Sequence, residues 1–172
     1  MLMQTHEARL AALREELKRR GLSGFIVPIS DEHMSEYVGA YAGRLAFMTG
    51  FTGSAGNGVV LQDKAAVFID GRYTIQAAAE LDPALFEHHL FSKYPLLKWT
   101  TDNLPKGARL GYDPELATVG WEKDALKACA RKGVELVAVD SNPVDAVWAD
   151  QPEAPLAPAV PHDSKYGGVD AR

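Results

Sequence analysis

The chain has 172 residues, and its 18 Lys and Arg against 23 Asp and Glu give a formal net charge of −5. With 47% hydrophobic and 24% charged residues, its composition excludes a disordered or fibrous protein. The acidic balance argues against nucleic acid as a partner, because phosphate binding needs a concentrated basic face. The sequence has no apolar run near the roughly 20 residues of a membrane helix and no signal-peptide pattern at its start. The single cysteine is typical of a reducing compartment, so we expect a cytoplasmic protein without membrane contact.

The first third of the chain predicts a helix followed by a strand. Leu10, Leu13 and Leu17 recur at helical spacing, with charged residues on the opposite face, which indicates an amphipathic helix. Residues 25–28 form a short apolar run that ends in proline, as a buried strand does. The polar and aromatic segment 31–41 is interpreted as one or two helical turns.

The rest of the chain alternates between strand and helix patterns. The apolar runs 59–61 and 65–69 flank a polar turn, which predicts a β-hairpin, and a helix opens at residues 70–73 and continues to 80. The same criteria predict, in chain order, a strand at 86–91, a helix at 96–103, a strand at 109–112, a helix at 118–132 and a strand at 134–139. This order predicts an α/β fold with a mixed β-sheet flanked by helices.

The composition changes near the end of the chain. The segment 148–161 holds four prolines, and proline-rich segments are extended and stiff, as linkers are. We therefore expect a domain at 1–148, a linker at 149–163 and the truncated start of a second domain at 164–172. Trp148 is expected to pack on the first domain and to anchor the linker.

A glycine-dense stretch at 50–58 is the first candidate site. Its G-x-x-G-x-x-G-x-G spacing, followed by a strand, differs from the G-x-G-x-x-G turn between a strand and a helix that binds dinucleotides. The Gly-Lys-Ser/Thr of a phosphate-binding loop is also missing. The glycines are better interpreted as allowing positive φ and close backbone approach where the chain enters the sheet. Such exposed backbone can also line a pocket or an interface.

Arg44 is the second candidate site. Its guanidinium presents a planar fork suited to a carboxylate or a carbonyl, so it could hold a peptide-like ligand. The alternative is a surface arginine paired with Glu36 or with water.

The remaining polar residues indicate structural roles. His88 and His89 are adjacent on a predicted strand and point to opposite faces, so they cannot share a metal ion. Asp70 is interpreted as a helix cap. Cys129 shares a helical face with Trp121, Ala125 and Leu126 and is interpreted as a buried packing thiol. No metal site and no catalytic constellation can be identified from the spacing of residues.

Several motifs together resemble a known family. They are R-x-x-F-x-x-G-F-x-G-S-A-G over 44–56, D-G-R-Y over 70–73, Gly111-Tyr-Asp-Pro114, the segment 142–155 and Tyr166-Gly-Gly168. They resemble the N-terminal domain of Xaa-Pro aminopeptidases (aminopeptidase P) of the three-domain subtype. This unit is also called the creatinase/prolidase N-terminal domain.

The resemblance implies a ribonuclease-H-like fold and a parent enzyme that removes the N-terminal residue ahead of proline. In that family a C-terminal domain holds two divalent metal ions, usually manganese, so no cofactor is expected in this fragment. Arg44 matches a family arginine that contacts the bound peptide, although Leu45 departs from the doubled arginine of some relatives. Asp70, Arg72 and Tyr73 match a family signature and are interpreted as structural.

The resemblance thus predicts a non-catalytic N-terminal domain that provides domain packing, dimer contacts and part of the substrate cleft. Its expected partners are its own catalytic domain, a second copy in a homodimer and a proline-containing peptide. One alternative is a peptide-binding module of a catalytically inactive pseudo-peptidase. Another is a related hydrolase that acts on creatine-like or dipeptide substrates.

Overall fold

One mixed six-stranded sheet organises residues 5–168, the part of the chain that the computed structural model describes. Its strands lie in the order β4-β3-β2-β1-β5-β6. β2 is antiparallel to β1 and β3, and the other neighbouring pairs are parallel. The strands are β1 (Gly24–Pro28), β2 (Gly56–Leu61), β3 (Ala65–Ile69), β4 (Glu87–Leu90), β5 (Arg109–Tyr112) and β6 (Glu135–Ala138). The predicted fold class, the hairpin and every predicted strand are confirmed.

Helices cover both faces of this sheet. They are α1 (His6–Arg19), α2 (Arg44–Thr49), α3 (Thr74–Glu80), α4 (Leu96–Asp102), α5 (Val119–Lys132) and α6 (Ser164–Gly167). The first three pack on one face and α4 and α5 on the other. The predicted N-terminal helix and the helices predicted to begin near residues 70, 96 and 118 are confirmed. No helix in the described part of the chain combines the length and the apolar character needed to cross a membrane.

The alternation of side chains along the central strands produces two separate cores. Phe25 and Val27 of β1 face the core beneath α1, whereas Ile26 between them faces the core beneath α4. β3 repeats the pattern, with Val67 on the first face and Phe68 on the second. Because both faces are covered, these strands are apolar at successive positions instead of alternating with polar residues.

The interpretation of 31–41 as helical turns is wrong for most of that segment. Only Ala40–Ala42 forms a 3₁₀ turn. The carboxylate of the buried Asp31 accepts the backbone N–H groups of His33 and Ser35, and such local bonds compete with helix formation. Met34 between them has φ 53°, which a right-handed helix does not allow.

The helix α2 was not predicted from the sequence, where residues 42–49 were assigned to no helix or strand. Its six residues are too few to show a helical period. It is stabilised by burial of Leu45 and Met48 against the sheet rather than by intrinsic propensity, as is general for short helices.

The C-terminal segment has no regular secondary structure at 149–163. Leu156 and Val160 in it are 91% and 82% exposed. The expected second domain at 164–172 falls partly outside the described residues, since 169–172 are not among them. The division into domain, linker and second domain stays a prediction.

The loss of stability when a leucine is truncated to alanine should depend on how deeply that leucine is buried in the core. Leu13 of α1 is fully buried, whereas Leu126 of α5 is 49% exposed. Leu13→Ala should lower the free energy of unfolding by about 3 kcal/mol, because it removes buried apolar area and leaves a cavity. Leu126→Ala is the matched control and should change it by less than about 1 kcal/mol. Urea unfolding of both variants checks this, and equal losses would contradict the assignment of the core.

Candidate functional site

The glycine loop, residues 50–56, connects the end of α2 to the start of β2. Gly50 ends the helix with φ 80°, a left-handed conformation that glycine adopts without a Cβ penalty. A Cβ on Gly53 would lie 2.4 Å from Cζ of Phe51 and 2.7 Å from Cδ1 of Tyr73, so the backbone there lies directly on two aromatic rings. The interpretation is confirmed for positive φ at Gly50 and for close backbone approach at Gly53.

The glycine-loop pocket, a cleft of about 340 Å³, opens beside this loop. Its walls include Glu36, Tyr37, Leu45, Phe51 and Ser54. Tyr37 is 84% exposed, so its ring stands at the opening with little support from the rest of the domain. The polar segment before α2 and the glycine loop therefore form one concave surface.

The D-G-R-Y segment, residues 70–73, contacts the glycine loop through Tyr73. Asp70 caps the turn by accepting the N–H of Arg72 at 2.9 Å, and this backbone bond lowers the pKa of Asp70. The hydroxyls of Tyr73 and Ser54 are 2.6 Å apart, and this bond lowers the pKa of Tyr73. The structural interpretation of Asp70 is confirmed, and Tyr73 ties the start of α3 to the glycine loop.

Arg44 begins α2 and is nearly buried, with 9% of the residue exposed. Its Nε and Nη2 donate to the two carboxylate oxygens of Asp145 at 2.7 and 2.8 Å. Burial disfavours the charged guanidinium, but the bonds to Asp145 outweigh it and raise the pKa of Arg44. Nη1 is also buried and has no hydrogen-bond partner among the described residues.

The alternative of a surface arginine paired with Glu36 is wrong, because Arg44 is nearly buried and its partner is Asp145. The two residues are 101 positions apart in the sequence. No local spacing rule links residues at that distance, so the sequence analysis could not find the pair. One signal was available. Trp148 was expected to pack on the domain, so the nearby carboxylate of Asp145 was a possible partner for a buried arginine.

The exit segment, residues 142–151, is held against α1 and α2 by aromatic and polar contacts as well. The ring of Trp148 stacks on Phe47 with centroids 4.3 Å apart, and the guanidinium of Arg9 lies 4.2 Å from the centroid of Phe47. Gln151 donates to the Tyr41 carbonyl and to Asp145, each at 2.9 Å. The expected packing of Trp148 is confirmed, and the exit segment is part of the fold.

The other sequence candidates occupy structural positions. His89 contacts the rings of Phe68 and Trp99. Cys129 is buried, and burial raises the pKa of its thiol, in agreement with a packing role. Leu126 was predicted to share the buried helical face of Cys129, and this is wrong, because Leu126 is 49% exposed. Within residues 5–168, no three His, Cys, Asp or Glu side chains are grouped so that they could hold a metal ion.

Comparison with known proteins defines the class of this domain. The family model for the Creatinase/Prolidase N-terminal domain matches residues 9–147, so the chain belongs to this family. The chain is 40% identical over 161 residues to human Xaa-Pro aminopeptidase 2, which covers 92% of the chain and 24% of the relative. The pig enzyme of the same name is 39% identical over 165 residues. The chain thus spans about a quarter of the length of these curated relatives.

Solved structures show the same architecture. X-prolyl aminopeptidase from Caenorhabditis elegans, described as a cytosolic enzyme with a di-nuclear active site, superposes with a TM-score of 0.80 at 29% identity. The match covers 87% of this chain and 26% of that one. The N-terminal domain of the cytoplasmic peptidase PepQ from Mycobacterium tuberculosis gives a TM-score of 0.62 at 26% identity, over 81% of this chain and 98% of that one.

The ion pair between Arg44 and Asp145 should contribute strongly to stability. Asp145→Ala should lower the free energy of unfolding by about 2 to 3 kcal/mol, because the buried guanidinium loses its counter-charge. Asp150→Ala is the matched control, since Asp150 is exposed, and it should change stability by less than about 0.5 kcal/mol. Urea unfolding gives both values. A neutral Asp145→Ala would show that the pair does not hold the exit segment.

Proposed function

We propose that this chain is the N-terminal domain of a metal-dependent Xaa-Pro aminopeptidase, which removes the N-terminal residue preceding proline. The observation that carries the proposal is the similarity to such enzymes along more than nine-tenths of the chain. The domain provides packing against its own catalytic domain, contacts in a homodimer and part of the substrate cleft. Cytoplasmic localisation is supported by the Caenorhabditis elegans relative, described as cytosolic.

The metal ions belong elsewhere in the proposed parent enzyme. The di-nuclear centre of the Caenorhabditis elegans relative supports two divalent ions, manganese in our proposal. Such ions activate a water molecule for attack on the peptide bond. Residues 5–168 offer no matching ligand set, so the proposal assigns no step of hydrolysis to this chain. Its residues bind and orient the peptide.

The glycine-loop pocket is the surface that we assign to the cleft wall. It combines the exposed loop residues Thr52 and Ser54 with the exposed ring of Tyr37. Arg44 lies at the start of the helix that forms one wall, and Nη1 is its remaining nitrogen without a partner among the described residues. Nη1 is buried and Arg44 does not line the pocket in this structure, so in our proposal the guanidinium becomes exposed at the cleft when a carbonyl of the bound peptide accepts a bond from Nη1, while Asp145 holds Nε and Nη2.

The enzymatic part of the proposal is tested on the full-length protein that carries this segment. A peptide with proline at its second position should lose its first residue in the presence of Mn²⁺, and a chelator should abolish the reaction. The matched control peptide has alanine at the second position and should be cleaved far more slowly. No release from the proline peptide, in a protein without bound metal, would favour a peptide-binding pseudo-peptidase instead.

The role of Arg44 is tested by comparing two variants that break the same ion pair. Arg44→Ala in the full-length enzyme should raise KM about tenfold, because both the positioning and the peptide contact are lost. Asp145→Ala keeps Arg44 and should raise KM less, by about threefold or below. Equal increases in KM would show that Arg44 acts only through Asp145, and unchanged kinetics would remove it from the site.

A further inference from the structure

A larger cavity lies on the opposite face of the sheet from the glycine-loop pocket. This α4–α5 pocket has a volume of about 420 Å³. It opens at the carboxyl ends of β1 and β5, next to the first residues of α4 and α5. From β1, the strands β2 to β4 extend in one direction and β5 and β6 in the other. Ligands of open α/β sheets bind in crevices at such reversals of strand order.

Five of the residues that line the α4–α5 pocket carry rings, and most of the others are aliphatic. Tyr112 and Trp121 have ring centroids 5.5 Å apart, and Phe91 adds a third aromatic ring. Two pyrrolidine rings, from Pro28 and Pro95, and several aliphatic side chains form the rest of the apolar surface. Aromatic-lined grooves of this kind bind extended proline-containing segments, whose polyproline conformation is formed before binding and loses little entropy.

Two hydrogen-bond donors accompany these rings. The lining residues Asn57 and Trp121 carry N–H donors, in the side-chain amide and the indole, that have no hydrogen-bond partner within residues 5–168. The pocket hydroxyl of Ser30, in contrast, is already bonded to the carbonyl of Leu116 at 3.1 Å. Backbone carbonyls are the acceptors that an extended peptide presents at regular intervals, and they match the two donors.

The charged side chains that line the α4–α5 pocket restrict the charge that its ligand can carry. Asp113 is the only carboxylate in the lining, and no basic side chain lines the pocket. Tyr112 is neutral, because burial and its bond to Glu122 raise the pKa of the phenol to about 12. The pocket therefore suits an uncharged or amine-bearing segment and disfavours an acidic one.

We propose that the α4–α5 pocket is a binding site for extended, uncharged peptide segments that contain proline. Trp121, Tyr112 and Phe91 contact the proline rings, and Asn57 and the Trp121 indole bind the carbonyls. The site is separate from the glycine-loop pocket, and this inference does not depend on the proposed enzymatic activity.

The test is an NMR titration of the ¹⁵N-labelled 172-residue chain. The probe is the amidated peptide Ala-Pro-Leu-Ala-Pro-Ala, and the readout is the indole N–H signal of each tryptophan. We expect a saturable shift of the Trp121 indole and none for Trp99 or Trp148, which lie outside the pocket. The matched peptide Ala-Ala-Leu-Ala-Ala-Ala should bind about tenfold more weakly, because it lacks the preformed proline conformation.

Protein variants complete the test, with the backbone amide of Thr118 as a second reporter in the pocket. Trp121→Ala and Asn57→Ala should each weaken binding, the first by about tenfold or more. Tyr166→Ala is the matched aromatic control, since Tyr166 is 70% exposed and does not line the pocket, and it should bind as the parent chain does.

Three results would overturn the proposal. One is the absence of a saturable shift at Trp121, and another is equal affinity for the two peptides. The third is a shift of the Trp121 indole caused by Leu156→Ser without added peptide, which would assign the pocket to the proline-rich segment of the chain itself.

Discussion

The ion pair between Arg44 and Asp145 joins the start of α2 to the exit segment. Arg44 starts the short helix before the glycine loop, and Asp145 lies in the exit segment, so a single bidentate contact fixes both. A buried guanidinium without a counter-charge is costly. The exit segment therefore has to stay packed against α2 for Arg44 to keep its counter-charge. The stacking of Trp148 on Phe47 adds a second contact between the exit segment and α2. The direction in which the chain leaves the domain is set by these contacts.

The sheet separates two pockets, one on each of its faces. On the α1 face, α2 and the glycine loop form a pocket of about 340 Å³ with an exposed tyrosine at its edge. On the α4 face, the strand ends form a larger pocket, of about 420 Å³, lined by aromatic and aliphatic side chains. Both pockets are open toward the loop that contains Met34 and Tyr37, each of which lines one of them. The turn around the buried Asp31 keeps the two residues on their separate sides.

Local patterns in the sequence were sufficient for most of the fold and for the family. Apolar runs, helix caps and turn residues depend on neighbours within a few positions, so the hairpin and α5 could be predicted with near-correct bounds. The partner of Arg44 could not, because it depends on a contact across 101 residues. The α4–α5 pocket was missed for the same reason, since its lining extends from β1 to the start of α5. In the segment 31–41, the helical interpretation failed because the buried Asp31 carboxylate binds backbone N–H groups that a helix would need.

The account rests on Arg44 and Asp145 acting as one unit, and a double-mutant cycle measures that directly. Arg44→Met, Asp145→Ala and the double variant would be unfolded in urea alongside the parent chain. We expect the double variant to be less destabilised than the sum of the single variants, by about 1.5 kcal/mol or more, because removing both partners leaves no uncompensated charge. Additive losses, within about 0.5 kcal/mol, would contradict the account.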